Sequence, residues 1–206
     1  MNETSRSVAR LLEDAKRRDG LAQGKLLDHY RPWLQLLARL QLDSRFQGKF
    51  DASDIVQQTL LEACRDLPRF RGQTELELLA WLRKILAHVI AHEVRRYACA
   101  EKRDVAREVS LEQSLAQSSR RLGNLLAASG TSPSHQAARH EQEVLLAEVL
   151  AQLPQDYRNV IILRNLEGLA HEQIADRMGR SVGAVRMLWV RALERLRKEL
   201  DSCDSA

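Results

Sequence analysis

Two histidines four residues apart, His88 and His92, are the first pair in this chain whose types and spacing could do chemistry. At i and i+4 on a helix both imidazoles reach one side, which is what a shared metal ion needs. Glu93 follows, but it points elsewhere on the helix and does not complete a His-Glu-x-x-His zinc-protease pattern. No third ligand lies nearby, so the plainer reading is two polar or DNA-facing histidines, and neither metal nor cofactor is expected. Cys64, Cys99 and Cys203 lack metal-ligand spacing, and their odd number points to a reducing cytosol rather than a disulfide framework. There is no Gly-rich phosphate loop and no recognisable setting for a Ser or Cys nucleophile. A DNA recombinase would need a catalytic domain, and Met1 to Arg103 offers no α/β pattern to house one.

The stronger chemistry is cationic. Between Arg177 and Lys198 stand seven basic residues and one acidic residue, Glu194. A helix of that charge can enter a major groove while its flanks hold phosphates. Arg186 falls in the first turns, where side chains reach base edges, and arginine bonds guanine O6 and N7 in bidentate fashion. The alternative is an amphipathic hairpin with a solvated basic face.

The surrounding residues favour a helix-turn-helix over His171 to Leu188. Ala175 supplies the small residue that a close crossing requires, and Gly179 supplies the turn residue that tolerates positive φ. Ile174, Met178, Val185 and Leu188 are then the residues buried between the two helices.

The whole chain reads as helical. It has 206 residues, 44% hydrophobic, 29% charged and only 4% aromatic, with net charge +4. Leucine is abundant, β-branched residues are sparse, and the pI is about 9.2. The N-terminus is polar rather than a signal peptide, and no apolar run is long enough to span a membrane. A soluble, cytoplasmic protein is expected.

Helices are expected over Val8 to Arg18 and Ala22 to Leu40, the second interrupted by Pro32. Gln41 to Lys49 reads as a polar connection. A helix capped by Asp51 or Ser53 runs to about Leu67, and a basic turn follows at Arg69 to Gly72. A helix over Glu75 to Tyr97 ends in Arg95 and Arg96, with Lys102 and Arg103 beyond. Seven serines fall between Asp104 and Arg139, and no aromatic residue occurs between Tyr97 and Tyr157. This stretch is read as a linker holding at most a transient helix near Leu111 to Leu126. Four helices then cover Glu141 to Leu153, Pro154 to Gly168, His171 to Met178 and Val182 to Leu200. The expectation is an all-α fold of two small domains, residues 1–103 and 140–206, on a flexible tether of residues 104–139.

With both halves read, the chain resembles the sigma-70 family of bacterial transcription initiation factors, and within it the extracytoplasmic-function group. The N-terminal residues that carry this are Asp51-Ala-Ser-Asp-Ile-Val-Gln-Gln-Thr-Leu-Leu-Glu-Ala-Cys, Phe70-Arg-Gly and Ala80-Trp-Leu-Arg-Lys-Ile. The C-terminal ones are Leu153-Pro, Tyr157-Arg-Asn-Val, Leu166-Glu-Gly-Leu, Ile174-Ala and Val182-Gly-Ala-Val-Arg. Two motif sets in the expected order are far more specific than either alone. The Arg45 to Asp51 connection also resembles that of sigma factors common in planctomycete-type bacteria.

The resemblance implies a region 2-like helical bundle, a region 4-like helix-turn-helix domain, and a non-enzymatic factor that takes core polymerase to promoters. It places Asp51, Asp54, Gln57, Gln58 and Glu62 on the polymerase clamp; their plainer reading is an ordinary solvated face. It places Phe70, Arg71, Trp81, Arg83, Lys84, His88, His92, Arg95 and Arg96 toward the −10 element, where opened bases need stacking surfaces and phosphate-binding cations. Trp81 reads equally well as core. The second domain is implied to bind the polymerase flap and read the −35 element, through Ser181, Gly183, Ala184, Arg186, Met187 and Arg191. An anti-sigma factor covering both polymerase-binding faces is implied as a further partner. Three positions depart from the pattern: His88 where the family often has Asn, His92 where it often has Asp, and Ala170 at a helix cap usually held by Ser or Thr. A helix-turn-helix regulator acting without polymerase is the main rival, but it leaves the Asp51 to Ile85 block unexplained. A helical adaptor would show no promoter specificity.

Overall fold

The computed structural model describes residues 3–42, 51–98, 105–128 and 136–204. The Gln41 to Lys49 connection, the planctomycete-like Arg45 to Asp51 stretch, Cys99, Lys102 and Arg103 lie largely or wholly outside the described residues. Among the described residues every regular element is helical: α1 Glu3–Lys16, α2 Gly20–Gln41, α3 Ala52–Asp66, α4 Glu75–Ala98, α5 Val105–Ala128, α6 Gln136–Gln152, α7 Gln155–Ile161, α8 His171–Met178 and α9 Val182–Asp204. None is long and apolar enough to cross a membrane. The chain divides into two compact units, residues 1–119 and 120–206.

In the first unit, α1 to α4 bury one stripe each. Leu12 and Ala15, then Leu26, Tyr30, Trp33, Leu34 and Leu37, then Ile55, Val56 and Leu60, then Leu78, Leu79, Leu82, Leu86 and Ile90 form one apolar interior. Most buried polar side chains inside it are paired, the Trp33 indole N–H being without a partner among the described residues. Gln23 Nε2 donates to the Ala15 carbonyl at 2.9 Å, and Thr59 Oγ1 donates to the Ile55 carbonyl at 2.7 Å. Tyr30 Oη donates to Glu75 Oε1 at 3.0 Å, tying α2 to the start of α4.

Two expectations from the sequence change here. Pro32 does not interrupt α2, which runs unbroken through it. An internal proline removes one backbone bond and costs about 3 kcal/mol. Tyr30, Trp33, Leu34 and Leu37, all fully buried around it, offset that cost. The serine-rich stretch is not coil over most of its length but α5. Leu115 is fully buried, and Ser118 and Ser119 are buried with partners in the first unit. Ser118 Oγ accepts from Gln41 Nε2 at 3.2 Å, and Ser119 Oγ accepts from Arg83 Nη1 at 3.3 Å. Serine's weak helix propensity loses to these tertiary partners. Residues 129–135 lie outside the described residues.

In the second unit, Val144, Leu146, Ala147, Val149, Leu150, Val160, Ile161, Ile174, Val185, Ala192 and Leu196 form the interior. The helix that Pro154 opens changes pitch. After α7 it widens into one π-turn, Ile162–Leu166, with the Glu167 amide donating to the Ile162 carbonyl at 3.0 Å. Gly168, at φ 76°, ends it.

Candidate polymerase and promoter-DNA surfaces

The second unit presents a helix-turn-helix whose turn is fixed by backbone bonds. Gly179 sits in the left-handed region at φ 62°, ψ 38°. The Arg180 amide donates to the Ala175 carbonyl at 3.0 Å, the Gly179 amide to the Asp176 carbonyl at 3.4 Å, and the helix stops in a Schellman motif. Ile174, Ala175 and Val185 are buried at the crossing, while Met178 and Leu188 are half-buried. The spacing read from the sequence therefore lands on the contact it was assigned to.

Ser181 then caps α9: its hydroxyl accepts from the Ala184 amide at 3.2 Å. This serine's first role is to start the helix whose next residues are exposed. At 100° per residue, Gly183, Met187 and Val190 lie in the middle of the exposed half of α9. Arg186 lies on one flank, and Ala184 and Arg191 on the other. Met187 is 54% and Val190 42% exposed. Arg186 is exposed and stands 3.5 Å from Glu172 Oε1 on α8.

Trp189, which the sequence reading passed over, holds the opposite side of α9. Its Nε1 donates to Asn165 Oδ1 at 3.0 Å, and its ring meets His171 edge-on with centroids 5.7 Å apart. The π-turn carries Asn165 to that position. Arg195 is committed to Glu199 on its own helix at 2.6 Å. Arg180 pairs with Asp156, and Arg177 with Glu167 at 2.7 Å.

Helix α8 lacks a side-chain acceptor at its N-cap, Ala170. Gln173 Oε1 accepts from the Ala170 amide at 2.9 Å, so half of a capping box is already in place. Ala170→Ser is expected to add the other half and stabilise the second unit by about 0.5–2 kcal/mol. A raised melting temperature in thermal unfolding checks this, and an unchanged or lowered one contradicts the cap placement.

In the first unit, Asp51 caps α3, its side chain accepting from the Ser53 amide at 2.9 Å. Asp54, Gln57 and Gln58 are exposed on one face, and Gln58 Nε2 donates to Glu62 Oε1 at 3.1 Å. Leu61, absent from the sequence-derived set, is 60% exposed among them. The face is thus polar and acidic around one apolar residue.

Helix α4 carries Trp81, Lys84, His88, His92 and Arg95 at helical spacing along one stripe, with Arg96 beside its end. Lys84, His88, His92 and Arg96 are exposed, and Trp81 and Arg95 are half-buried. His92 Nδ1 lies 3.3 Å from Glu93 Oε1, and Arg96 Nη1 pairs with Glu93 as well. Arg83 does not join the stripe. It points to the far side of α4, over the Trp33 ring at 5.9 Å and onto Ser119. Two residues from Trp81 is 200° round the helix, so the Trp-Leu-Arg-Lys run could not put both arginine and lysine beside the tryptophan.

The loop before α4 meets this stripe. The Phe70 and Trp81 rings lie 4.9 Å apart, tilted by 34°. Arg71 is exposed next to them. Glu77 organises the loop: its Oε2 accepts from the Gln73 amide at 2.8 Å, the Thr74 amide at 3.0 Å and the Thr74 hydroxyl at 2.8 Å. Thr74 Oγ1 accepts in turn from the Glu77 amide at 3.3 Å, a capping box. The signature Thr-x-x-Glu was present in the sequence, and it places the loop end.

These bonds hold the Glu77 carboxyl below its ordinary value of 4.5, the Gln73 amide contributing most, then Thr74. A folded value below the unfolded one means the contribution is complete above the ordinary value and is lost as pH falls through the lowered one. An NMR titration is expected to show Glu77 and the Gln73 and Thr74 amides moving together with a midpoint below 4.5. A midpoint at or above that value would contradict the capping box.

Among the described residues no three His, Cys, Asp or Glu side chains gather as a metal site. His88 and His92 share an exposed helix face.

Comparison with known proteins identifies both units by family. The Sigma-70 region 2 family model matches residues 26–98, and the Sigma-70, region 4 model matches residues 143–196. The RNA polymerase sigma-H factor of Pseudomonas aeruginosa is 30% identical over 199 residues, 96% of this chain and 95% of its own. The ECF RNA polymerase sigma-E factor of Haemophilus influenzae is 29% identical over 157 residues, 76% of this chain and 78% of its own. A solved structure of CnrH in complex with the cytosolic domain of CnrY covers 94% of this chain and 97% of that one, at 21% identity and a TM-score of 0.31. The chain belongs to the sigma-70 family, in its extracytoplasmic-function group: it is a sigma factor, which directs RNA polymerase to promoters.

Proposed function

We propose that the work is divided between residues 1–103, which hold the polymerase clamp and the opened −10 element, and residues 140–206, which hold the flap and read the −35 element. The observation that carries this is the exposed half of α9, where Gly183, Met187, Arg186, Ala184 and Arg191 stand clear of the interior while Ser181 and Trp189 fix the helix behind them. Small residues at Gly183 and Ala184 let the backbone approach the groove. The flanking arginines reach base edges or phosphates.

In the first unit, Asp54, Gln57, Gln58 and Glu62 around exposed Leu61 suit a clamp surface, with an apolar anchor inside a polar rim. Phe70, Arg71, Trp81, Lys84, His88, His92, Arg95 and Arg96 suit the opened strand, which needs aromatic faces and cations. His88 and His92 stand where the family often has Asn and Asp, so the family's −10 contacts do not transfer directly to these two positions.

The chain itself catalyses nothing in this reading; polymerase makes the phosphodiester bonds. Each unit binds its element weakly, and joint docking on polymerase makes the second binding event intramolecular. An anti-sigma factor that covers the α3 face and the flap-binding face keeps the protein inactive in the cytoplasm. Permanganate and hydroxyl-radical footprinting of holoenzyme on a selected promoter tests the division. Upstream protection lost with α9 variants, and reactive −10 thymines lost with Trp81→Ala, are expected. Loss of both by either variant would contradict separate roles.

A further inference from the structure

Lys16, the last residue of α1, lies outside the stretch that the region 2 model matches. Its ammonium nevertheless reaches the loop before α4. Nζ donates to the Gly72 carbonyl at 2.6 Å and stands 5.7 Å from the centroid of the Phe70 ring. It also pairs with Glu13 at 3.2 Å, and its side chain is only 17% exposed. A lysine at a helix end ordinarily extends into water. This one is drawn inward to an aromatic face and to a backbone oxygen 56 residues away in sequence.

The loop it touches is closely fitted. A Cβ at residue 72 would meet Phe70 Cζ at 2.3 Å and Glu77 Cβ at 2.9 Å, so the glycine backbone lies directly against the ring. Phe70 meets Trp81, and Glu77 grips Gln73 and Thr74. Glu77 therefore fixes the end of the loop, and Lys16 fixes its middle from a different helix.

We infer that Lys16 is a positioning residue for promoter opening: it holds the Phe70 ring and the Gly72 carbonyl in the arrangement that receives an unstacked base. This rests on the proposal that the loop and Trp81 meet the opened −10 strand. A loop ordered beforehand carries no ordering cost at binding, so Lys16 raises affinity for the single strand without touching it.

The test uses holoenzyme reconstituted with the full chain and a fluorescein-labelled single-stranded oligonucleotide. The oligonucleotide carries the non-template −10 sequence of a promoter recovered with the wild type. Lys16→Met is expected to bind it about five- to tenfold more weakly, from loss of the cation–ring contact and one charged hydrogen bond. Affinity for core polymerase should stay unchanged, and Lys16→Arg should recover most of the loss. In a Phe70→Ala background Lys16→Met should cost less than it does alone, because one of its two contacts with the loop is already gone.

Full additivity with Phe70→Ala would mean that Lys16 does not act through the ring, and would overturn the inference. Equal weakening toward core polymerase would assign Lys16 to helix packing, with the same consequence. Wild-type binding by Lys16→Met, with binding lost in Trp81→Ala and Phe70→Ala, would sink the positioning role and leave the loop's role standing. Wild-type binding by all three would remove both. If Lys16→Met does not fold, Lys16→Ala removes both the donor and the charge, and unchanged affinity there overturns the inference.

Discussion

Arg186→Ala is expected to weaken recognition of the upstream promoter element by about 1–3 kcal/mol, roughly five- to 150-fold in affinity. The side chain is 62% exposed in the first turns of α9, on the flank of the half that faces away from the interior. Its partner within the protein is Glu172 at 3.5 Å, itself 63% exposed. A pair so exposed is readily exchanged for a base edge. The loss should be concentrated at one base pair: substituting the guanine that Arg186 reads should cost the wild type heavily and the variant little. Binding of holoenzyme to the promoter and to its single-base variants measures this. A uniform loss on every sequence, with a shallower salt dependence, would assign Arg186 to phosphate.

Asp54→Lys is expected to weaken binding to core polymerase by about 2 kcal/mol or more, roughly thirtyfold, as charge reversal inside a complementary interface does. Asp54 stands in the first turn of α3, exposed beside Gln57 and Gln58. A negative charge there also favours the helix N-terminus, so reversal carries a separate cost to folding of about 0.3–1 kcal/mol. Melting temperature and core affinity must therefore be measured together. A small drop in the first with a large drop in the second supports the clamp assignment. Unaltered association would contradict it, and would leave the acidic face as solvated surface.

The residues that were legible in the sequence are those whose roles are local. Ala175, Gly179 and Val185 show a tight helix crossing by spacing alone, because the crossing needs a small residue, a positive φ and an apolar knob at set intervals. Asp51 caps α3, and α3, α4 and α9 span close to the residues expected of them. Most of what was hidden depends on partners far away in the chain. Pro32 reads as a break because its cost is local and its compensation, the burial around Trp33, is tertiary. Ser118 and Ser119 read as linker because their helix is secured by Gln41 and Arg83. Arg83 shares a motif with Trp81 and Lys84, but 200° of rotation sends it inward. Thr74 and Glu77 form a cap whose signature was in the sequence and went unread. Lys16 gave no signal at all: nothing near it in sequence tells of Gly72 or Phe70.

The measurement that bears most directly on the account is run-off transcription with bacterial core polymerase on a library of promoter fragments, with and without this protein. New starts that are sequence-selective and share two upstream elements are the expected result. Binding to DNA with no gain in initiation, given a core enzyme compatible with the factor, would contradict it and favour a helix-turn-helix regulator that acts without polymerase.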